Sequence, residues 1–158
     1  MIDADTFRAA LGRFSTGITV VTAHDPEHGR DHGMTVSAFC SASLEPPLVL
    51  VSIGHEATMY DLLCREAQVG ISVLSAKQEA LSRRFADPES DRFDGVGYTR
   101  GENGVALIDD AIVHLECRII DRHEAGDHTL MIAEVNAATV RSERPLLYYR
   151  GGYAQLER

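Results

Sequence analysis

The sequence predicts a mainly β chain whose strands form a closed or partly closed antiparallel barrel, with two or three short helices at its periphery. Three observations carry that expectation. Six or more segments have the alternation or β-branched content of strands, separated by turn signals at short spacing. The helical patterns are few and short, and they do not alternate with strands in the rhythm of a parallel sheet. No Gly-x-Gly-x-x-Gly follows a strand, which argues against a doubly wound dinucleotide-binding fold.

Asp3 or Asp5 caps a first helix in which Phe7, Ala10, Leu11 and Phe14 share one face, expected to end near Thr16-Gly17. Ile18 to Ala23 is β-branched and reads as a strand, and the polar stretch His24 to His32, with its Pro and Gly, is a hairpin connection. From Gly33 to Leu48 the even positions Met34, Val36, Ala38, Cys40, Ala42 and Leu44 are apolar. The odd positions Thr35, Ser37, Ser41 and Ser43 carry hydroxyls, with Phe39 among them, so the segment reads as one strand. Leu48 to Ile53 is a near-continuous apolar strand after Pro46-Pro47.

Thr58 and Asp61 have the spacing of a capping box for a short helix through Leu63. Val69 to Leu74 is again strand-like. Ser75 and Gln78 repeat the capping pattern before a helix with Ala76, Ala80, Leu81 and Phe85, which ends ahead of Asp87-Pro88. The Gly- and Asp-rich segment Asp87 to Asn103 is expected to be a mobile loop or lid. Ala111 to Arg122, Thr129 to Thr139 and Leu146 to Leu156 return to β patterning.

With 158 residues, 44% of them hydrophobic, and no linker or repeat, the chain is expected to be one domain over residues 1–158. A formal charge of -9, from 24 acids against 15 bases, argues against nucleic acid or an anionic membrane as partner. Cys40, Cys64 and Cys117 are widely spaced and odd in number, so they read as buried free thiols in a reducing compartment. The acidic N-terminus lacks the basic and apolar regions of a signal peptide, and no apolar run reaches about 18 residues. The expected location is cytoplasmic.

A strand face with several hydroxyls and no charge suits a flat, polar-edged, uncharged ring better than bulk water. An ordinary solvated sheet face is the alternative, but such faces usually carry Lys, Glu or Arg.

Phe14-Ser15-Thr16-Gly17-Ile18-Thr19-Val20-Val21-Thr22, the Gly33 to Leu48 block, Gln78 to Ala86, Leu115-Glu116-Cys117, Gly126-Asp127-His128 and Pro145 to Tyr153 together resemble the short-chain flavin reductase family. The resemblance runs over nearly the whole chain. It implies an FMN-binding split β-barrel, a Greek-key antiparallel barrel, assembled as a homodimer. The implied activity is NAD(P)H-dependent flavin reduction: FMN or FAD accepts a hydride from NADH or NADPH, and the reduced flavin goes to a separate flavin-dependent monooxygenase.

The same resemblance implies roles for individual residues. Thr35, Val36, Ser37 and Ala38 line the flavin ring, and Ser52 and Thr58 help hold the ribityl phosphate. For Thr58 a plain helix N-cap is the competing reading, and the two are compatible because helix N-termini favour anions. Arg84 reaches the phosphate, against the alternative of a solvated helix face paired with acids such as Glu79. Phe85 packs near the ring or belongs to the core. His128 lies beside the flavin and the nicotinamide pocket as an orienting group, since hydride transfer moves no separate proton. Tyr148 and Tyr153 close the pocket or anchor the last strand.

Other chemistries have less support. His24, His28 and His32 recur every four residues, but Pro26 and Gly29 interrupt the helix that would align them on a metal. No Gly-x-Ser-x-Gly elbow supports a serine hydrolase. A non-catalytic flavin-binding or flavin-carrier protein on the same barrel is the main alternative function, and an interaction module is a weaker one.

Overall fold

Strand β2 (Thr19–Asp25) is buried along nearly its whole length because it separates two cores. Val21 and Ala23 point into one cluster with Val36, Val51, Ile53, Ile71 and Met131, while Val20 on the other face joins Ile18, Leu74, Phe85, Ile108 and Leu146. Its buried hydroxyls are satisfied locally: Thr19 donates to the Val36 carbonyl at 2.6 Å and Thr22 to the Ala106 carbonyl at 2.5 Å. An unpaired hydroxyl there would cost about 1–3 kcal/mol.

The computed structural model describes residues 1–157. In chain order the remaining elements are α1 (Ala4–Leu11), β1 (Thr16–Gly17), β3 (Arg30–Val36), β4 (Phe39–Ser43), β5 (Leu48–Gly54), α2 (Tyr60–Arg65), β6 (Gln68–Val73), α3 (Glu79–Ala86), β7 (Tyr98–Arg100), β8 (Ala106–Ile108), β9 (Val113–Ala125), β10 (His128–Val140), β11 (Leu146–Tyr149) and β12 (Gly152–Gln155). The chain is mainly β, as the sequence predicts. Seven strands form one antiparallel sheet in the order β3-β2-β6-β9-β10-β5-β4. Its two edge strands, β3 and β4, are consecutive in the chain and separated only by Ser37-Ala38. That short corner curls the sheet until its ends meet, enclosing the first cluster as a barrel with a single seam.

The second cluster lies outside the barrel wall, under α3, the β7–β8 hairpin and the small sheet β1-β11-β12. Asp3 caps α1 by accepting the Thr6 N–H at 2.8 Å, as expected. The helix ends at Leu11 and not near Thr16-Gly17, because Gly12 forms its C-cap. Its apolar face has no cover from its own chain: Phe7 is 55%, Leu11 52% and Phe14 75% exposed.

Several expectations need correction. Residues 33 to 48 are two strands, and the alternation reverses phase at the Ser37-Ala38 corner. Beyond it Phe39 packs on the barrel core, while Cys40, Ala42 and Leu44 face outward. Cys40 and Cys64 are therefore exposed thiols, and only Cys117 is buried, where loss of solvation pushes its pKa up to about 12. Thr58 caps nothing: α2 starts at Tyr60 with Met59 as N-cap and no side-chain hydrogen bond.

The segment Asp87 to Asn103 is not a loose lid. It contains β7, whose partner β8 lies in the apolar run Val105 to Ile108, and its first part is fastened to α3 and β3. The three spaced histidines do not converge. His24 pairs with Asp31 at 2.9 Å and His28 with Asp25 at 2.8 Å.

Candidate functional site

Strand β3 has only β2 as a hydrogen-bonded neighbour, so its other edge is open to non-strand partners. The Gly33 carbonyl points to that edge, where Arg92 donates to it through Nη1 at 2.8 Å. Because main-chain groups alternate sides along an antiparallel strand, the N–H and C=O of Thr35 lie on the same edge. The side-chain face is closed instead. A Cβ at Gly33 would lie 2.6 Å from Phe85 Cε1, and Thr35 Oγ1 donates to the Ser82 carbonyl at 2.6 Å. The hydroxyl of Thr35 thus fastens α3, and what it leaves available at the site is backbone.

Two cavities lie at the ends of this edge. One, of about 330 Å³, meets Gly33 and is lined by Arg30, His32, Thr58, Ser90 and Arg92. The other, of about 350 Å³, meets Ser37 and is lined by Phe7, Phe14, Thr16, Tyr148 and Gly151. Gly33 and Ser37 are four residues apart in extended chain, which is roughly 13 Å. The first cavity carries two arginines, Arg30 and Arg92, with Asp91 among its lining, and the second carries one, Arg8. Asp31 also borders the first, but Arg100 holds that carboxylate at 2.6 and 2.8 Å and His24 adds a third partner. Burial opposes its ionisation, yet these partners keep the Asp31 carboxyl below the usual range. Arg92 donates through Nε to Asp87 and through Nη1 to Gly33. Burial lowers the pKa of its guanidinium from the ordinary arginine value.

The corner between the cavities is uncharged. Ala38 accepts the Ser52 N–H at 3.0 Å, and Phe39 donates to the Ser37 carbonyl at 2.9 Å. These bonds bring Val36, Ser37, Ala38 and Ser52 together across the seam. Next along β5, Gly54 pairs with His128, and a Cβ there would stand 3.5 Å from His128 Nε2. His128 Nδ1 lies 2.7 Å from Asp127 Oδ1, and this hydrogen bond, followed by the imidazole's charge, holds the Asp127 carboxyl below its ordinary value. The Asp127 carbonyl also accepts the His55 N–H at 3.0 Å, so the Gly126-Asp127-His128 turn is tied to the chain that leads to Thr58.

Two predicted cofactor contacts have protein partners of their own in this geometry. Arg84 donates through Nε to Arg92 and through Nη2 to Asp91, both backbone carbonyls, so it organises the strap after α3. Phe85 is fully buried in the second core, edge-on to Phe93, and supports Gly33 from beneath. Tyr153 bonds Ser82 through its hydroxyl at 2.9 Å and lies under the Arg83 guanidinium, while Tyr148 lines the second cavity. Residues not predicted for this site from the sequence are Arg30, Arg92 and His32, the last weighed only as a metal ligand, at the basic cavity, Thr16 at the other, and Asp127 beside His128. Of these only Arg92 had a readable signal, as a cation in the Asp91-Arg92-Phe93 run just after α3.

Comparison with known proteins decides the family. A family model for the flavin reductase like domain matches residues 11–157. The chain belongs to the flavin reductase-like family. It is 42% identical over 155 residues to an NADH-dependent flavin reductase of a Rhodococcus species, covering 95% of this chain and 85% of that protein. It is 33% identical over 157 residues to the reductase subunit of a flavin-dependent monooxygenase of Rhodococcus jostii, covering 99% and 80%. Among solved structures, the NADH:FAD oxidoreductase of Streptomyces globisporus in complex with NAD and FAD fragments superposes with a TM-score of 0.92 at 38% identity, covering 99% of this chain and 96% of that one. As in that flavin reductase, the architecture here is antiparallel and mainly β with short helices.

Proposed function

We propose that this flavin reductase-like chain is an NAD(P)H:flavin oxidoreductase that reduces FMN or FAD and passes the reduced flavin to a separate flavin-dependent monooxygenase. The observation that carries the reading is the open, uncharged edge of β3, running from a basic cavity at Gly33 to an aromatic one at Ser37. A flavin has the matching polarity, with a phosphate at one end and a flat ring with an amide edge at the other. When bound, the flavin supplies the two-electron chemistry of accepting a hydride.

The chain's own residues position and screen. The main-chain groups of Thr35 and the corner Val36-Ser37-Ala38 read the ring's polar edge without adding charge. Thr58, Ser52 and Arg92 hold the phosphate end, with Arg30 and His32 adding positive potential. Tyr148 bounds the ring end. Asp127 fixes His128 through Nδ1, which presents Nε2 over Gly54 toward the donor nucleotide. Hydride transfer needs reacting atoms at about 3–3.5 Å, so placement is the main contribution the protein makes. The relatives named for NADH support NADH as the preferred donor.

The finer expectations form part of the same proposal. One domain spans residues 1–158, and the bare apolar face of α1 supports a homodimer. Among the described residues no helix is long and apolar enough to cross a membrane, and the free thiols support a reducing, cytoplasmic setting. The deciding experiment mixes the protein and FMN or FAD rapidly with NADH or NADPH while following the oxidised-flavin band. Bleaching well above the protein-free rate is expected. Flavin binding with bleaching at the protein-free rate would instead identify a flavin carrier.

A further inference from the structure

Among the described residues, one buried side-chain polar atom has no hydrogen-bond partner: Oγ1 of Thr16. Hydroxyls at four other positions of the fold are engaged. Thr19 bonds Val36, Thr35 bonds Ser82, Ser82 bonds Tyr153, and Ser72 accepts from Ile108. A fold that satisfies its buried hydroxyls this fully leaves a lone exception to be explained, because such a group loses its water without compensation.

Thr16 also lines the second cavity, together with Ser37, Phe14 and Tyr148. Its place is fixed by the backbone, since Thr16 pairs with Tyr148 in the β1–β11 ladder. The cavity therefore combines aromatic side walls with two hydroxyls, one of them unmatched. A hydroxyl both donates and accepts, so it complements an amide, which offers a C=O and an N–H side by side.

We propose that Thr16 is a specificity-determining residue of this cavity, where its hydroxyl hydrogen-bonds the amide edge of a flat heteroaromatic ring. The proposal rests on the reductase reading given above. Two ligands of that reaction carry the required chemistry: the pyrimidine edge of the flavin and the carboxamide of the nicotinamide. The aromatic side chains suit either ring, and the cavity at the far end of β3 accommodates their phosphates.

The test compares full-length Thr16→Val and Thr16→Ser with wild type in three measurements. These are the melting temperature, the affinity for FMN and FAD by fluorescence titration without nucleotide, and KM for NADH at saturating flavin. Thr16→Val should keep or raise the melting temperature, since it removes an unmatched hydroxyl of nearly the same shape. It should also weaken flavin binding, which identifies the flavin edge, or raise KM, which identifies the carboxamide, by about fivefold or more. Thr16→Ser should stay within about twofold of wild type in both. The proposal is overturned if Thr16→Val matches wild type in both arms, if it melts lower with binding unchanged, or if Thr16→Ser is as impaired as Thr16→Val. Wild type lacking turnover would count against the reductase reading alone, because the flavin titration reports on Thr16 independently.

Discussion

Gly33 and Phe85 lie so close that a Cβ on the glycine would stand 2.6 Å from Cε1 of the ring and 3.3 Å from Phe93 Cε2. That approach sets how near α3 comes to β3, and hence the width of the basic cavity beside the strand. Gly33→Ala should displace Phe85, lowering stability by about 1–3 kcal/mol as overpacking does. Flavin affinity should fall with it. Thermal melting and flavin titration check this, and wild-type values in both would mean the ring relaxes freely.

Arg92 is the clasp of the strap that follows α3, joining the Gly33 and Asp87 carbonyls through two arms of one guanidinium. Arg92→Ala should expose the peptide bonds of residues 87–95 to limited proteolysis and weaken flavin binding about tenfold, equivalent to about 1.4 kcal/mol. Arg92→Lys should recover little, because an ammonium cannot span both carbonyls. Proteolysis and affinity unchanged in the alanine variant would remove Arg92 from the site.

The barrel was legible because its evidence is local: β-branched strands, short turns and an Asp3 cap; the Ser75/Gln78 pair does not open the helix as expected, since α3 starts at Glu79 with Gln78 as N-cap and no side-chain cap bond. In that pair Gln78 accepts the Ser75 N–H at 2.9 Å, just before α3. Residues whose meaning depends on distant neighbours were not legible. Alternation through Ser37-Ala38 looks continuous in sequence, yet a corner there sends the two halves to opposite edges of the sheet. Arg84 and Arg92 are both arginines near the end of α3, and only the fold determines that one braces the strap while the other borders a cavity. Thr16 is an unremarkable strand residue until its hydroxyl is found buried and unmatched.

The Asp127–His128 pair predicts a split between binding and rate. His128→Ala should slow hydride transfer, measured at saturating flavin, more than it weakens flavin affinity. Asp127→Asn retains the turn but removes the anionic partner of Nδ1, so the hydride-transfer rate at saturating flavin should fall while flavin affinity holds. A rate equal to wild type would show that Asp127 does not orient the ring. The Asp127 carboxyl lies below its ordinary value, so the anion, and with it the pair, persists as the pH falls through the usual carboxylate range.

Asp31 links three parts of the fold: β3, which carries it, β2 through His24, and β7 through the two-armed contact with Arg100. Its pKa is depressed in the folded state, so its contribution to stability is fully present above the unfolded carboxylate value near 3.9 and is lost as pH falls through the folded value. Asp31→Asn should reduce stability at neutral pH by about 1.5–3 kcal/mol, the range for hydrogen bonds to charged groups. It should also flatten the acid limb of the stability profile. Denaturant melts from neutral to acidic pH would reveal a wild-type acid limb in the variant if Asp31 were not the group concerned.

Phe7 and Leu11 of α1, with Phe14 just beyond its end, form an apolar patch more than half exposed in their own chain, and Leu44 just after β4 is 92% exposed. Apolar surface gathered on one helix in this way is a mark of an association surface, and burying each such side chain is worth about 1.5–3 kcal/mol. Light scattering of the wild type should therefore give twice the 17.3 kDa chain mass. The double variant Leu11→Lys and Phe14→Asp should give the monomer with the barrel intact by circular dichroism. Phe7 and Phe14 also wall the cavity that contains Thr16, so dissociation should weaken ring binding there while leaving the basic cavity at Gly33 unaltered. A wild type that runs at the single-chain mass would remove the dimer, and with it the coupling between assembly and the ring end of the site.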